Sequence, residues 1–445
     1  MKYSNVVKAM LFTSIHELAA NPEHYVLHPG KDFSRNRKLG FQRLLLMLLT
    51  MEGDCIKEEL YRYFGRSTDT PSKAAFYKQR KKVKEDAFRS LLVSFTQKCQ
   101  KKLLKGKYSL VACDGSAADI FRNPDDSDTF FEPNGKSTRG FNQIHINAFF
   151  SVLDKKFTDL LIQPARKRNE YSAFCQMVDR SESDTPVIYL CDRGYASYNA
   201  FAHVIESGQF FVMRCTDDKT EKILGFPLDN IQQLDHHVER ILSRSQSKKK
   251  RLHPEQEKKR LHPEQEEQYR FVCKNVPMDY ITQGHPEYRL SLRIIRIELS
   301  DSCYENLITN LPELDFDFDD LKDLYHLRWD EETSFRDLKY PLCLKAFHSQ
   351  KYEYIIQEVW ARAILYNFCS EIAMAVEIPE KKRKYVYQVN YSEAIKICRD
   401  FLRIHDGTTL DVEGLIAQNI LPVRPGRTFP RQARFKLPIS FCYRN

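Results

Sequence analysis

The chain has 445 residues, 42% of them apolar, which is enough for two or three domains and a substantial buried core. No apolar run approaches the ~20 residues that cross a bilayer. No secretory signal opens the chain, and none of its twelve cysteines forms a C-x2-C pair. Together these exclude a membrane span, a zinc ribbon and a disulfide scaffold, and point to a reducing cytoplasm. The net charge is +9, but residues 1–107 alone hold 22 Lys/Arg against 10 Asp/Glu. A second basic stretch, residues 421–445, carries Arg424, Arg427, Arg431, Arg434, Lys436 and Arg444 and no acid. Local excess of this kind suits a nucleic-acid partner, since each neutralised phosphate releases counterions. A solvated basic face accounts for the charge alone equally well.

Residues 1–105 read as a helical DNA-binding domain. Residues 38–51 are apolar-rich, residues 54–64 follow, and Ser72 stands where it caps a helix carrying Lys78, Arg80, Lys81 and Lys82. Ala75, Phe76 and Val83 are expected to face inward and the four basic residues outward, as in a helix-turn-helix variant. The competing reading is a plain helical bundle with a wet basic face.

From residue 106 the hydrophobic period changes. Strands are expected at 108–113, 144–153, 157–162, 187–191 and 209–215, with a tight turn at Asp154-Lys-Lys and a helix over 171–178. That order is α/β, a mixed sheet with flanking helices. Residues 106–215 form its first part. Residues 216–300 interrupt it with a polar charged tract and two alternating runs, 269–273 and 288–299, read as a β-rich insertion. Inside lies a perfect repeat: Lys249-Lys-Arg-Leu-His-Pro-Glu-Gln-Glu257 recurs as residues 258–266. A nine-residue unit present twice is too short for a solenoid and reads as a tandem duplication in an exposed loop. Residues 301–375 resume the core, with a strand at 307–311 and helices over 318–338 and 354–375. Residues 376–445 are a C-terminal helical region, with a helix over 393–404, and the basic tail.

The chemistry concentrates in residues 318–338 and just beyond. Tyr325, Arg328, Glu332 and Lys339 stand at offsets of 3, 7 and 14 from the first, each close to a whole number of 3.6-residue turns. One helical stripe therefore carries a phenol, a guanidinium, a carboxylate and an ammonium. Upstream, Asp114 follows Leu110-Val-Ala-Cys and Asp192 follows Val187-Ile-Tyr-Leu-Cys, both where apolar strands are read to stop. Three carboxylates from two strand ends and a helix make a site for Mg2+, which prefers oxygen ligands. A cationic stripe beside it suits a phosphodiester. Each piece alone has a bland reading: an Asp before Gly is a common turn, and Glu332 alone is a surface helix residue. Asp119, Asp125, Asp126, Asp330 and Glu331 compete locally.

In combination the chain resembles a bacterial insertion-sequence DDE transposase of the insertion-sequence-four group, which carries a Tyr-Arg-Glu-Lys signature. Asp114-Gly-Ser, Asp192-Arg-Gly-Tyr and the Tyr325/Arg328/Glu332/Lys339 set match in order, as do Ile308-Thr-Asn-Leu, Ser334-Phe-Arg-Asp-Leu-Lys339 and Arg424-Pro-Gly-Arg-Thr-Phe-Pro-Arg431. The resemblance implies a ribonuclease H-like core with a β insertion before the Glu-bearing helix. It implies that Asp114, Asp192 and Glu332 are catalytic and hold two Mg2+ ions, with Mn2+ expected to substitute. The reaction it implies is cutting of transposon ends and joining to target DNA. Tyr325, Arg328 and Lys339 would contact end DNA, with Arg193, Lys78, Arg80, Lys81, Lys82, Arg427 and Arg431 as further DNA contacts. The implied partner is double-stranded DNA, terminal inverted repeats and target, held by a dimer in a paired-end complex in the bacterial cytoplasm at the nucleoid, with no membrane involved. Some relatives use a Trp of the insertion to extrude a base. The two tryptophans here, Trp329 and Trp360, lie outside it, so Tyr269, Phe271, Tyr280 or Tyr288 would have to stack instead. Two other functions fit the same residues: a stand-alone Mg2+-dependent nuclease or resolvase, and a DNA-binding regulator with an inactive core.

Overall fold

The computed structural model describes residues 2–135, 137–229, 231–244, 268–300, 303–327, 346–378, 385–404 and 409–423. Helices α1 (Tyr3–Ala20), α2 (Phe41–Thr50), α3 (Ile56–Tyr63), α4 (Lys73–Arg80) and α5 (Asp86–Lys98) come first. Strands β1 (Ser109–Ile120), β2 (Phe130–Phe131), β3 (Phe141–Ser151) and β4 (Lys156–Pro164) follow. Then come α6 (Glu170–Asp179), β5 (Val187–Cys191), α7 (Tyr198–Glu206), β6 (Phe210–Cys215) and α8 (Asp217–Leu224). Strands β7 (Leu234–Ser243), β8 (Tyr269–Phe271), β9 (Glu287–Ser300) and β10 (Cys303–Thr309) lead to a helix over Phe318–His326. Later helices span Tyr352–Met374, Tyr391–Arg403 and Val412–Gln418. The protein is mixed α/β, with a large mixed sheet and flanking helices. Among the described residues no helix is long and apolar enough to cross a membrane.

The chain divides into two units. One holds residues 1–102, 115–168 and 330–445, the other residues 103–114 and 169–329. In the first, α2 is Leu-rich and buried at nearly every position, as a helix apolar all round must be. Strand β3 is buried at every residue and pairs antiparallel with β4 through a turn in which Lys155 takes φ +50°. Asp154 fixes that turn by accepting from the Ser151 hydroxyl at 2.7 Å and the Lys102 N–H at 2.8 Å. The long helix Tyr352–Met374 closes the core, and its Asn367 side chain serves as a substitute strand for β4. It accepts from the Phe157 N–H at 2.8 Å and donates to the Phe157 carbonyl at 2.7 Å, so no buried backbone group is stranded there.

Helix α4 starts where expected, with the Ser72 hydroxyl accepting from the Ala75 N–H at 3.2 Å. Ser72→Ala is expected to cost about 1 kcal/mol, read as a lowered urea midpoint at unchanged slope. Phe76 and Val83 face inward as the sequence suggests, but Ala75 is exposed. The larger correction is Arg80. It does not present its charge to solvent: it is 0% exposed and pairs with Glu358 at 2.9 Å, with Nε donating to the Gln357 side chain at 2.9 Å. Glu358 also accepts from His348 at 3.0 Å, and His348 lies 3.7 Å from Glu59. A guanidinium enclosed among two carboxylates and a histidine is a structural ion, not a DNA contact. Its partners sit on a helix far along the chain, so nothing in the local charge pattern announces it.

In the second unit the strands run in the order β1-β5-β6-β10-β9-β7-β8. The Ser109–Cys113 stretch of β1 pairs parallel with β5, and β5 pairs parallel with β6. Helix α7 forms the β5–β6 crossover that parallel neighbours require. Strand β10 then reverses, pairing antiparallel with β6 and β9, and β9 pairs antiparallel with β7. The β-rich segment read as an insertion thus adds its strands to the sheet that holds β5 and β6. Among its described residues it also contains helix α8, which the polar tract did not suggest. The repeated nonapeptide lies outside the described residues.

Candidate active site

The two aspartates meet through strand register. Val187 to Cys191 of β5 pair residue for residue with Ser109 to Cys113 of β1, ending on Cys113 opposite Cys191. Asp114, still within β1, and Asp192, just past the end of β5, are the next residues. Parallel neighbours lie about 4.8 Å apart, so the two aspartates follow neighbouring backbone positions. Alternation turns Cys113 and Cys191 to the opposite face from the aspartates. Both thiols are fully buried, and burial, with the neighbouring Cys191, pushes the Cys113 thiol well up.

The two aspartates arrive differently. Asp192 stands where β5 stops, as read from the sequence. Its Oδ1 accepts from the Arg193 N–H at 2.7 Å and its carbonyl from the Tyr195 N–H at 3.0 Å, which closes a turn with Arg193 and Gly194 exposed. Asp114 is not at a strand end. Strand β1 runs on through Gly115-Ser-Ala to Ile120, so the Asp-Gly-Ser sequence that looks like a turn is extended backbone. Carboxylates from neighbouring backbone positions fit a hard divalent cation, which takes oxygen ligands and keeps several waters. Among the described residues no group of three or more His, Cys, Asp or Glu gathers as a metal site. The third expected ligand, Glu332, lies outside the described residues, as do Arg328, Lys339, Arg427 and Arg431.

The described part of the signature helix, Phe318–His326, opens with a capping box between Asp317 and Asp320. Lys105 donates to Asp320 at 2.7 Å, Lys107 pairs with Asp315 at 3.0 Å, and the Tyr108 hydroxyl donates to Asp315. These contacts tie the helix start to the residues leading into β1. Sequence spacing gave no sign of them, because the partners are some two hundred residues apart. Tyr325 is 3% exposed, so its phenol faces the interior of its unit rather than standing on an open stripe. Lys78 and Lys81 are exposed, while Lys82 is half-buried, 3.7 Å from Asp32.

Sequence reasoning missed a second feature of this unit, a cleft of about 770 Å³ walled by Tyr171, Cys175, Tyr198, Phe201, Ile223 and Val276. His203 on α7 also lines it, with Nδ1 2.7 Å from Asp179 and Nε2 2.9 Å from Asp279. Hydrogen bonds from Asn199 and His203 hold the Asp279 carboxyl below its ordinary range. The loop around Asp279 is thereby fastened to α6 and α7. Of the four aromatic residues considered for stacking, Tyr280 and Tyr288 pack on each other at 5.6 Å, and Tyr288 donates to Glu206 at 2.8 Å. The Tyr269 hydroxyl lies 3.4 Å from Glu287, and Phe271 is 43% exposed.

A family model described as "Transposase DDE domain" matches residues 105–368. No protein of curated function matches the chain. Among solved structures, the chain is similar to one described as a cryo-EM structure of a piggyBac transposase synaptic complex with hairpin DNA. The two are 10% identical, over 96% of this chain and 87% of that one, with a TM-score of 0.43.

Proposed function

The chain belongs to the transposase DDE-domain family, and from that membership we propose that it is a cut-and-paste DNA transposase of the insertion-sequence-four group. The observation that supports the reading is that Asp114 and Asp192 each directly follow the last registered pair of β1 and β5, Cys113 opposite Cys191. The core is read as ribonuclease H-like. Asp114, Asp192 and Glu332 hold Mg2+, or Mn2+ in its place, with Glu332 assigned on the sequence pattern alone. Two such ions, when bound, activate the attacking oxygen and offset charge at the phosphorus and the leaving oxygen. The chain's own groups bind and orient the DNA. The exposed Arg193, beside Asp192, offers a forked contact to a phosphate next to the scissile one. Arg328 and Lys339 extend that contact along the end DNA, while the buried Tyr325 serves to seat the helix rather than to touch DNA. The helices of residues 1–105 and the basic tail with Arg427 and Arg431 bind the terminal repeats, and a dimer holds two ends at the bacterial nucleoid.

The test is a strand-transfer assay with the full chain, Mg2+ and DNA carrying candidate terminal inverted repeats taken from either side of the reading frame. Joined products support the reading. Cleavage without joining would leave a nuclease, and metal-independent binding alone a regulator. The exposed lysines of α4 have their own signature. Replacing Lys78 and Lys81 together by Ala should make the plot of log affinity against log salt shallower by about 2, near 0.9 for each lost phosphate contact. An unchanged slope would remove both from the DNA face.

A further inference from the structure

Strands β2 and β4 share the outer side of β3: β2 pairs with it at Phe141 and Asn142, and β4 from Ile144 onward. Among the described residues β2 ends the strand order. Its two residues, Phe130 and Phe131, each carry a guanidinium. The Arg122 Cζ lies 5.5 Å from the Phe130 ring centre, and its Nε donates to the Arg139 carbonyl at 2.8 Å. The Arg166 Cζ lies 5.7 Å from the Phe131 ring centre, and its Nη1 donates to the Phe130 carbonyl at 3.2 Å. Phe131 in turn stacks on Phe141 at 5.2 Å. Gly140 lets the turn after Arg139 close on this pair: it takes φ +70°, and a Cβ there would lie 2.5 Å from the Phe131 carbonyl oxygen. Successive strand residues point to opposite faces, so the two guanidiniums flank the edge from both sides of the sheet.

Arg122, Arg139, Arg166 and Arg168 are all exposed. Of the acids nearby, Asp128 pairs with Lys167 at 2.6 Å, and Asp126 accepts from the Thr129 hydroxyl at 2.7 Å within its own turn. Asp125 and Glu132 are exposed. Charged side chains often guard a sheet edge against pairing with another chain, but mobile lysines do that as well. A guanidinium laid on a ring, with one N–H fixed to a carbonyl, does more. It uses its flat face and one donor, and leaves the remaining N–H groups oriented and free. Such a fork matches two oxygens of a phosphate. We propose that the β2 edge is a phosphate-binding surface on which Arg122 and Arg166, with Arg139 and Arg168 beside them, hold the backbone of duplex DNA. A backbone contact positions the duplex without reading its sequence. The proposal rests on the reading of the protein as DNA-binding.

The experiment measures duplex binding by fluorescence anisotropy with the full-length chain, on candidate terminal-repeat DNA and on a scrambled duplex, across a salt series. Arg122→Ala and Arg166→Ala should each weaken both duplexes about tenfold, the cost of losing a hydrogen bond to a charged group. The double variant should make the plot of log affinity against log salt shallower by about 2. Arg122→Lys keeps the charge without the fork, and should restore the slope but not the full affinity. Melting temperature checks that each variant folds. A folded double variant with wild-type slope and affinity overturns the proposal. Should the double variant not fold, Arg168→Glu, which disturbs neither ring pair, should weaken both duplexes alike, and wild-type binding by that variant overturns the proposal too. Polyglutamate tests the other kind of partner. Loss of polyglutamate binding in the double variant, with DNA binding intact, would assign the edge to an acidic protein and overturn the proposal. If the wild type binds no duplex at all, the reading of the protein as DNA-binding has failed. If it binds and the double variant binds alike, only the role of this edge has failed.

Discussion

Asp114→Asn and Asp192→Asn should each lower metal-supported DNA cleavage by about a thousandfold or more, corresponding to about 4 kcal/mol of lost transition-state stabilisation. The amide keeps the shape of the carboxylate and removes the charge that holds the cation. The folded chain should not suffer. The two aspartates each follow the Cys113–Cys191 pair that ends the β1–β5 register, and like charges close together repel. Without metal, either substitution should therefore leave the melting temperature unchanged or slightly raised. What should vanish is the rise in melting temperature on adding Mg2+ or Mn2+, because that gain is binding energy. DNA binding should persist, since it rests on the basic residues. Cleavage by either variant at near-normal rate would remove that residue from the ligand set.

The second large effect concerns stability. Arg80→Ala should destabilise the unit by about 3–5 kcal/mol, because it leaves Glu358 buried without its guanidinium. The phosphate-dependent slope of DNA binding should not change, which distinguishes Arg80 from Lys78 and Lys81. The same cluster predicts a pH profile. Burial by itself would push the Glu358 carboxyl up, but the charges of His348 and Arg80 outweigh it and hold the carboxyl down at about 2. Its contribution is present above the ordinary carboxylate value of 4.5 and is lost as pH falls through about 2. Burial would likewise push His348 down, but the charge and hydrogen bond of Glu358, with Glu59, outweigh it and raise its pKa above 6.5. That contribution is full below 6.5 and is lost as pH rises through the raised value. The cluster should thus stabilise most between about pH 4.5 and 6.5. Denaturant midpoints across pH 3–9 would check this, and His348→Gln should flatten the alkaline limb. A wild-type profile with no such limb would mean that His348 does not carry charge in the folded state.

Strand β5 was legible to the residue because Pro186 and Asp192 bracket a five-residue apolar run. Asp192 at its end was legible for the same reason. The position of Asp114 was half legible. The run before it signals a strand, but Gly115-Ser116 resembles a turn, and only pairing with the rest of the sheet keeps that stretch extended. The register that sets Cys113 opposite Cys191, one residue before each aspartate, was not legible at all, because register is a property of two strands nearly eighty residues apart. Arg80 shows the limit of local charge patterns. Four basic residues within five positions look like one exposed face, yet one of them turns inward to meet a carboxylate 278 positions later. The Lys105 and Asp320 tie is hidden in the same way. The Tyr-Arg-Glu-Lys spacing was the most specific signal in the sequence, and of its four residues Tyr325 alone lies among the described ones.

That long reach from Arg80 to Glu358 also has a schedule. A ribosome adding roughly 5–20 residues each second would need about 14–56 s to make the carboxylate after the guanidinium. For that interval the apolar helix Phe41–Thr50 and the charge of Arg80 exist without the helix Tyr352–Met374 that covers them. The newborn chain must spend tens of seconds with a greasy, charged half-core open to the cell. Prematurely terminated products are committed to that condition permanently, and should be recovered with holdase chaperones or in the insoluble fraction rather than as free soluble fragments.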